Sequence, residues 1–307
     1  MLNKNLTALK AELLLLLITL VWGATFTFTK LGFQDSSVFF YIFIRFCLAF
    51  IFTFIFWGRH LFTISKENLK NGMMLGFLFA CGFATQTLGL NYTTATKSAF
   101  ITGMAVVLTP LAYKIVIKRK INLWQQVGII ITFLGLWLFS NPKTDNINIG
   151  DLLTLISTFF WAFYLTYMDV FTKDIKTFDK TIQLVFLQFI FAIAAGLIGT
   201  LFFDRGQFRF HLTGNLALSL IYNGIIASVF LTIIHTSVQK FTTPIKAALI
   251  FSLEPVFAAI IAILALNEMM NHREINGASI LLAGVIISEL GEYTFDKIKS
   301  FALKIKK

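Results

Sequence analysis

The side chains best placed to do chemistry are the few polar groups set inside long apolar runs: Arg45, Gln86, His235 and Glu254. In hydrocarbon an ionisable group costs roughly 3 kcal/mol or more unless it is paired or hydrated, so each is a candidate site by default. Glu254 directly precedes Pro255 inside the apolar stretch 245–266. A carboxyl there has the chemistry to take up and release a proton during a transport cycle. The structural alternative is an acid bonded to a carbonyl freed by Pro255, or paired with Arg45 or Lys114. Arg45 could hold a carboxylate of a bound solute or simply reach outward to the interface. Histidine is the side chain whose ordinary range lies near neutrality, which makes His235 a second proton-coupling candidate.

Two tryptophans stand in matched surroundings. Trp22 lies ten residues after Glu12, and Trp161 ten residues after Asp151. Trp22, Phe26 and Lys30 are spaced four apart and share one helix face, and Trp161, Leu165 and Asp169 repeat that spacing. If the two faces meet at the membrane midplane they wall a cavity, with Tyr164 and Tyr167 adding hydroxyls beside the aromatic stripe. Against that reading, an aromatic stripe also serves plain packing, and the chain holds 36 phenylalanines. Lys30 and Lys114, nearer the ends of their runs, read as interfacial anchors. The expected substrate contacts are therefore Trp22, Phe26, Arg45, Gln86, Trp161, Tyr164, His235 and Glu254.

These residues need long helices to carry them. The chain is 57% hydrophobic and 13% charged, with mean hydropathy +0.79, where a soluble domain carries about a quarter charged residues. Charge-free runs at 71–96, 121–142 and 181–203 each reach the roughly 20 residues needed to cross a bilayer as helix. The pattern predicts spans at 11–33, 38–57, 71–90, 96–117, 122–140, 150–170, 180–203, 212–238, 245–266 and 275–293, an all-α integral membrane protein. The first apolar run has no cleavage signature, so it reads as retained helix rather than a signal peptide.

Charge placement sets an expected orientation. With the N-terminus in the cytoplasm, 18 Lys and Arg fall in cytoplasmic segments and 5 on the opposite side, and the tail 295–307 alone holds five lysines. Both termini are expected inside, in the cell (inner) membrane. The net charge of +11 is thus a topology signal rather than a nucleic-acid footprint. Cys47 and Cys81 both fall inside predicted helices, which points to apolar packing rather than a disulfide or metal framework. No cofactor or metal is expected.

The second half echoes the first. A shift of 139 places Trp22 on Trp161. A shift of 149 places Lys97 on Lys246, Gln86 on His235, Gly128 on Gly277 and Gly135 on Gly284. Pro255 falls on Val106, one helical turn before Pro110. Five spans per copy turn the second copy upside down, so repeats are expected at 1–144 and 145–294. The basic loop Lys118-Arg119-Lys120 aligns with Asn267-Glu268-Met269, as expected if the two loops face opposite sides. Inverted repeats are the usual build of secondary transporters, with solute bound between the halves. Gln86 and His235 would then place one polar group at each mouth, as alternate gates or as loop caps. The glycines of helices 5 and 10 would pack within their own repeat or form a homodimer contact.

An ordered set of features resembles the EamA-type permeases of the drug/metabolite transporter superfamily. It comprises Trp22-Gly23-x-x-Phe26-x-x-x-Lys30, Arg45 early in helix 2, and Thr94 to Ile101 leading into helix 4. The second half supplies Thr243-Pro244-x-Lys246-Ala247-Ala248, Leu253-Glu254-Pro255, Asn267-Glu268, and Gly277 with Gly284. The resemblance spans the whole chain and implies ten helices in two inverted five-helix repeats. It further implies transport of small metabolites, often export of amino acids or drugs. Two positions depart from the pattern: no proline precedes helix 2 at Asp35-Ser36-Ser37-Val38, and Lys118 to Lys120 replaces an acidic position after helix 4.

The expectation is a secondary-active permease moving a small organic metabolite through the lipid bilayer by alternating access, exporting and proton-coupled. A lipid translocator or channel on the same fold is the alternative. An enzyme would need a clustered acid pair or His/Asp set, which the scattered residues do not provide. An ATP-driven pump would need a Gly-x-x-x-x-Gly-Lys loop, which this sequence lacks.

Overall fold

A computed structural model describes residues 2–118, 120–140, 148–173, 177–238, 241 and 250–305. Its helices are α1 (Leu2–Gly32), α2 (Val38–Trp57), α3 (Lys66–Tyr92), α4 (Ala95–Ile117), α5 (Leu123–Ser140), α6 (Ile149–Thr172) and α7 (Phe178–Phe202). They continue as α8 (Gly214–Val238), α9 (Glu254–Leu266) and α10 (His272–Ile305). Seven of these are long and apolar enough to cross a membrane, and Leu123–Phe139 and Glu254–Leu266 are shorter apolar helices. The protein is an all-α multi-pass membrane protein.

Hydrocarbon leaves helices as the workable spanning form here, because every backbone amide must bond internally. The ends, where four amides lack intrahelical partners, are closed by side chains. Ser65, Thr94 and Thr213 accept from the amides of Asn68, Lys97 and Leu216. Asp204 Oδ2 does the same for α2 from a distant loop, accepting from Phe39 N and Phe40 N at 3.0 Å each. Burial pushes that carboxyl above its ordinary range, with the two amides pulling the other way.

The internal repeat is visible in these caps. Asn122 and Gln125 exchange side-chain bonds with each other's backbone amides, and so do Asn271 and Glu274, 149 positions later. Lys118 and Asn267, also 149 apart, are the positive-φ non-glycine residues among the described residues. They close α4 and α9 through amide bonds to Tyr113 O and Ala262 O. Neither position is glycine, so the left-handed turn is held by the helix ends themselves.

Packing follows the same exchange of halves. α2 lies on α7, α5 lies on α10, α3 packs on α6 as α8 packs on α1, and α4 packs on α6 as α9 packs on α1. Equivalent helices run antiparallel. A Cβ at Gly128 would meet Gly284 O at 2.6 Å, and one at Gly135 would meet Leu281 N at 2.5 Å. The second half is therefore inverted against the first. This corrects the expectation for the α5 and α10 glycines: they join the two repeats within one chain, neither packing inside their own repeat nor lying free for a second copy. Gly72 and Gly76 likewise face Leu187 and Phe191 of α7.

The molecule is apolar outside as well as inside. Ile130, Leu134 and Trp137 on α5, and Ile198, Leu201 and Phe202 on α7, are exposed, as a lipid-facing belt requires. Polar side chains point inward instead, among them Thr19, Thr132, Ser157 and Gln188. Cys47 and Cys81 are free and half-buried.

Three expected spans come out differently. α8 is continuous, but Ile221–Phe230 winds as a π-helix. Glu254 is not mid-helix: Ile250 and Phe251 are helical, Ser252 and Leu253 turn, and α9 restarts at Glu254 with Pro255 in its first turn. Proline fits there because a first-turn amide has no partner to lose. Helix α10 runs on to Ile305 instead of ending near 293. Lys246 and the Thr243 to Ala248 motif lie outside the described residues, as does Arg119.

Candidate transport cavity

A cavity of about 140 Å³ lies between the halves, and all eight expected contact residues line it. The first half supplies Trp22 and Phe26 from α1, Arg45 from α2 and Gln86 from α3. The second supplies Trp161 and Tyr164 from α6, His235 from α8, and Glu254 where α9 begins. No lining residue comes from α5, α7 or α10, so those helices only scaffold it.

The cavity has two aromatic corners, related by the repeat. In one, Trp22 meets His235 edge-on with centroids 5.3 Å apart and Phe251 at 5.9 Å, and its Nε1 donates to Ala227 O at 3.2 Å. In the other, Trp161 stands edge-on to Phe83 at 5.0 Å, to Tyr164 at 5.6 Å and to Phe79 at 5.8 Å. The buried Trp161 Nε1 has no hydrogen-bond partner among the described residues.

Arg45 is 5% exposed and reaches the cavity from α2. Its Nε and Nη2 both donate to Ser228 Oγ, at 3.2 and 3.1 Å. Ser228 in turn donates to Asn223 O at 2.7 Å, five residues back along the π-helix. The guanidinium lies 4.8 Å from the Phe83 ring centroid and 5.2 Å from that of Phe46. The wide turn thus presents Ser228 to the arginine, a use that fits the tendency of π segments to sit at functional sites. Asn223 also donates to Tyr41 Oη at 2.7 Å and Thr29 Oγ1 at 3.0 Å, fixing the segment against α1 and α2.

Glu254 is half-buried at the amino end of α9, where the helix dipole favours an acid. It forms no ion pair with Arg45 or Lys114, so the paired alternative is not what the structure shows. Gln86 donates to Thr102 Oγ1 at 2.9 Å.

Three expectations are corrected in detail. Gln86 and His235 do not mark two separate mouths; both face the one cavity. Tyr164 contributes its ring alone, because its hydroxyl donates to Gln188 Oε1 at 2.7 Å. Tyr167, Lys30 and Asp169 do not line the cavity, and Tyr167 packs on Phe171. The sequence reading also missed Phe79, Phe83, Thr102, Ser228 and Phe251. The 149 shift pairs Phe79 with Ser228, Phe83 with Thr232 and Thr102 with Phe251, but none of these partners was itself conspicuous in the sequence.

On the face holding the α3–α4 turn, several bonds link the two halves. Glu268 accepts from Ala95 N at 2.8 Å and Thr96 N at 3.0 Å, Lys97 pairs with Glu274 at 3.2 Å, and Thr93 donates to Asp151 at 2.6 Å. On the same face, the 33–37 and 203–213 segments bond through Ser37, Arg209, Asp35 and Thr213, and Arg209 also donates to Phe33 O.

Comparison with known proteins agrees with this architecture. An uncharacterized transporter of Archaeoglobus fulgidus is 28% identical over 282 residues, covering 92% of this chain and 86% of its own. The uncharacterized transporter YoaV of Bacillus subtilis is 22% identical over 298 residues, covering 94% and 99%. A solved crystal structure shares the fold with a TM-score of 0.62 at 12% identity, covering 92% of this chain and 98% of that one. Residues 9–141 and 148–290 each match the EamA-like transporter family. With both halves matched, the chain belongs to the EamA-like transporter family and is a membrane transporter rather than an enzyme.

Proposed function

We propose that the protein is a secondary-active permease that carries a small organic metabolite through the central cavity by alternating access. The observation that supports this best is the central cavity between the two halves, where matched aromatic corners stand beside polar side chains such as Arg45, Gln86, His235 and Glu254. A channel would want a continuous polar pore; here rings interrupt the polar groups, and bonds between the halves cross one face. In this reading the repeats, divided near 144 and 145, rock about the α2–α7 and α5–α10 contacts, and the Glu268 and Lys97–Glu274 ties release when that face opens. The ten predicted spans and the 18-to-5 charge bias support a reading with both termini in the cytoplasm and the α3–α4 face outside. Under that orientation the structure corresponds to an outward-closed state. Export is the proposed direction, and Glu254, with His235 beside Trp22, is the proposed proton carrier.

The test is counterflow in proteoliposomes with a panel of amino acids and related metabolites, with and without an imposed pH gradient. Saturable, competable exchange of one class is expected, accelerated by the gradient. Trp22→Ala and Trp161→Ala should each weaken apparent affinity about three- to tenfold, the worth of one aromatic contact. If both keep normal affinity, the solute passes elsewhere. Scrambling of fluorescent lipids with no solute exchange would replace the permease by a lipid translocator.

A further inference from the structure

We infer that Arg45 is a carboxylate-binding subsite, so that the solute carries one carboxylate on an otherwise apolar body; this rests on the permease reading above. Arg45 is nearly fully buried, yet among the described residues its hydrogen bonds go to one neutral hydroxyl, Ser228 Oγ. That hydroxyl's own proton is committed to Asn223 O, so it serves the arginine only as an acceptor. No carboxylate forms an ion pair with the guanidinium, and Nη1 has no protein partner among the described residues.

A buried cation left without an anion is strongly unfavourable. Ring faces at 4.8 and 5.2 Å ease that cost only in part. An interfacial anchor would extend its head to water, but this head group faces the cavity, with the π-helix holding Ser228 against it. A guanidinium matches a carboxylate in shape as well as charge. Rings make up much of the remaining wall, Phe83 beside the guanidinium and then Trp161 and Trp22, with Gln86, Thr102, His235 and Glu254 set among them. The rings suit an apolar body on the solute. Glu254 shares the cavity without pairing with Arg45, so the anion of the solute and the acid of the protein occupy different parts of it.

The purified full-length protein is tested by thermal shift with three ligands of one body and different heads: 3-phenylpropanoate, 3-phenylpropanamide and phenethylamine. A series of shorter monocarboxylates down to acetate samples body size. Wild type should bind at least one carboxylate, with its amide and amine counterparts about tenfold or more weaker, the value of a charge-assisted bond. Arg45→Gln should erase that preference. Ser228→Ala, which leaves the cation in place, should keep it within about threefold even if Arg45→Gln fails to fold.

Equal binding of amide and carboxylate by wild type would overturn the assignment. So would a retained carboxylate preference in Arg45→Gln, loss of the preference in Ser228→Ala, or no shift with any carboxylate of the series. The same solutes in counterflow separate the two levels of the argument. Carboxylates that bind through Arg45 but never cross the bilayer would sink the permease and leave the subsite. Exchange of a neutral or cationic solute that carboxylates do not compete would do the reverse.

Discussion

At the residue scale the site consists of a few polar side chains on an aromatic lining, and each has a separable role. Glu254 stands at a helix start and lines the cavity without an ion pair among the described residues, which is the placement the proposed proton carrier needs. Glu254→Gln is expected to abolish pH-gradient-driven uptake while sparing solute exchange, because a neutral amide preserves shape and loses the proton. An unchanged pH dependence of transport in that variant would remove Glu254 from the coupling. The candidate residues were legible in the sequence because charge, amide and indole groups are conspicuous inside apolar runs. Ser228, Thr102 and Phe251 were not, since serine, threonine and phenylalanine recur throughout such helices.

At the element scale, hydropathy exposed the spans, and their interiors and junctions stayed hidden. Nothing local in 221–230 distinguishes a π-helix from an α-helix; Asn223 bonds outward to Tyr41 and Thr29, while Ser228 bonds back to Asn223 O within the segment and accepts from Arg45. The restart of α9 at Glu254 was half-legible, because Pro255 favours a first turn as much as a kink. The cap on α2 from Asp204 joins residues 165 apart in sequence, beyond any local pattern. The glycine rows of α5 and α10 read as close-contact surfaces, within their own repeat or toward a second copy, and their partner is each other; a glycine row shows that something approaches and not what. Gly135→Ala, whose Cβ would lie 2.5 Å from Leu281 N, should destabilise the fold by about 1–3 kcal/mol. Ile130→Ala on the lipid-facing side of α5 serves as the control in the same thermal-unfolding measurement, with a change under about 0.5 kcal/mol.

At the scale of the whole molecule, the inverted duplication puts the machinery between two half-molecules that pack by exchanging partners. The duplication was readable from offsets of 139 and 149, and the structure repeats the second of these in its helix caps. What sequence could not supply is the conformational state, because the same residues must build every state of the cycle. The most direct test of a single, alternately exposed cavity is the accessibility of one cysteine placed in it. Thr102→Cys, in a chain with Cys47 and Cys81 replaced by serine, would be treated with a membrane-impermeant maleimide in right-side-out and inside-out vesicles. The account predicts labelling from both sides, slowed in both by a transported solute. Labelling from one side only, unaffected by solute, would contradict it.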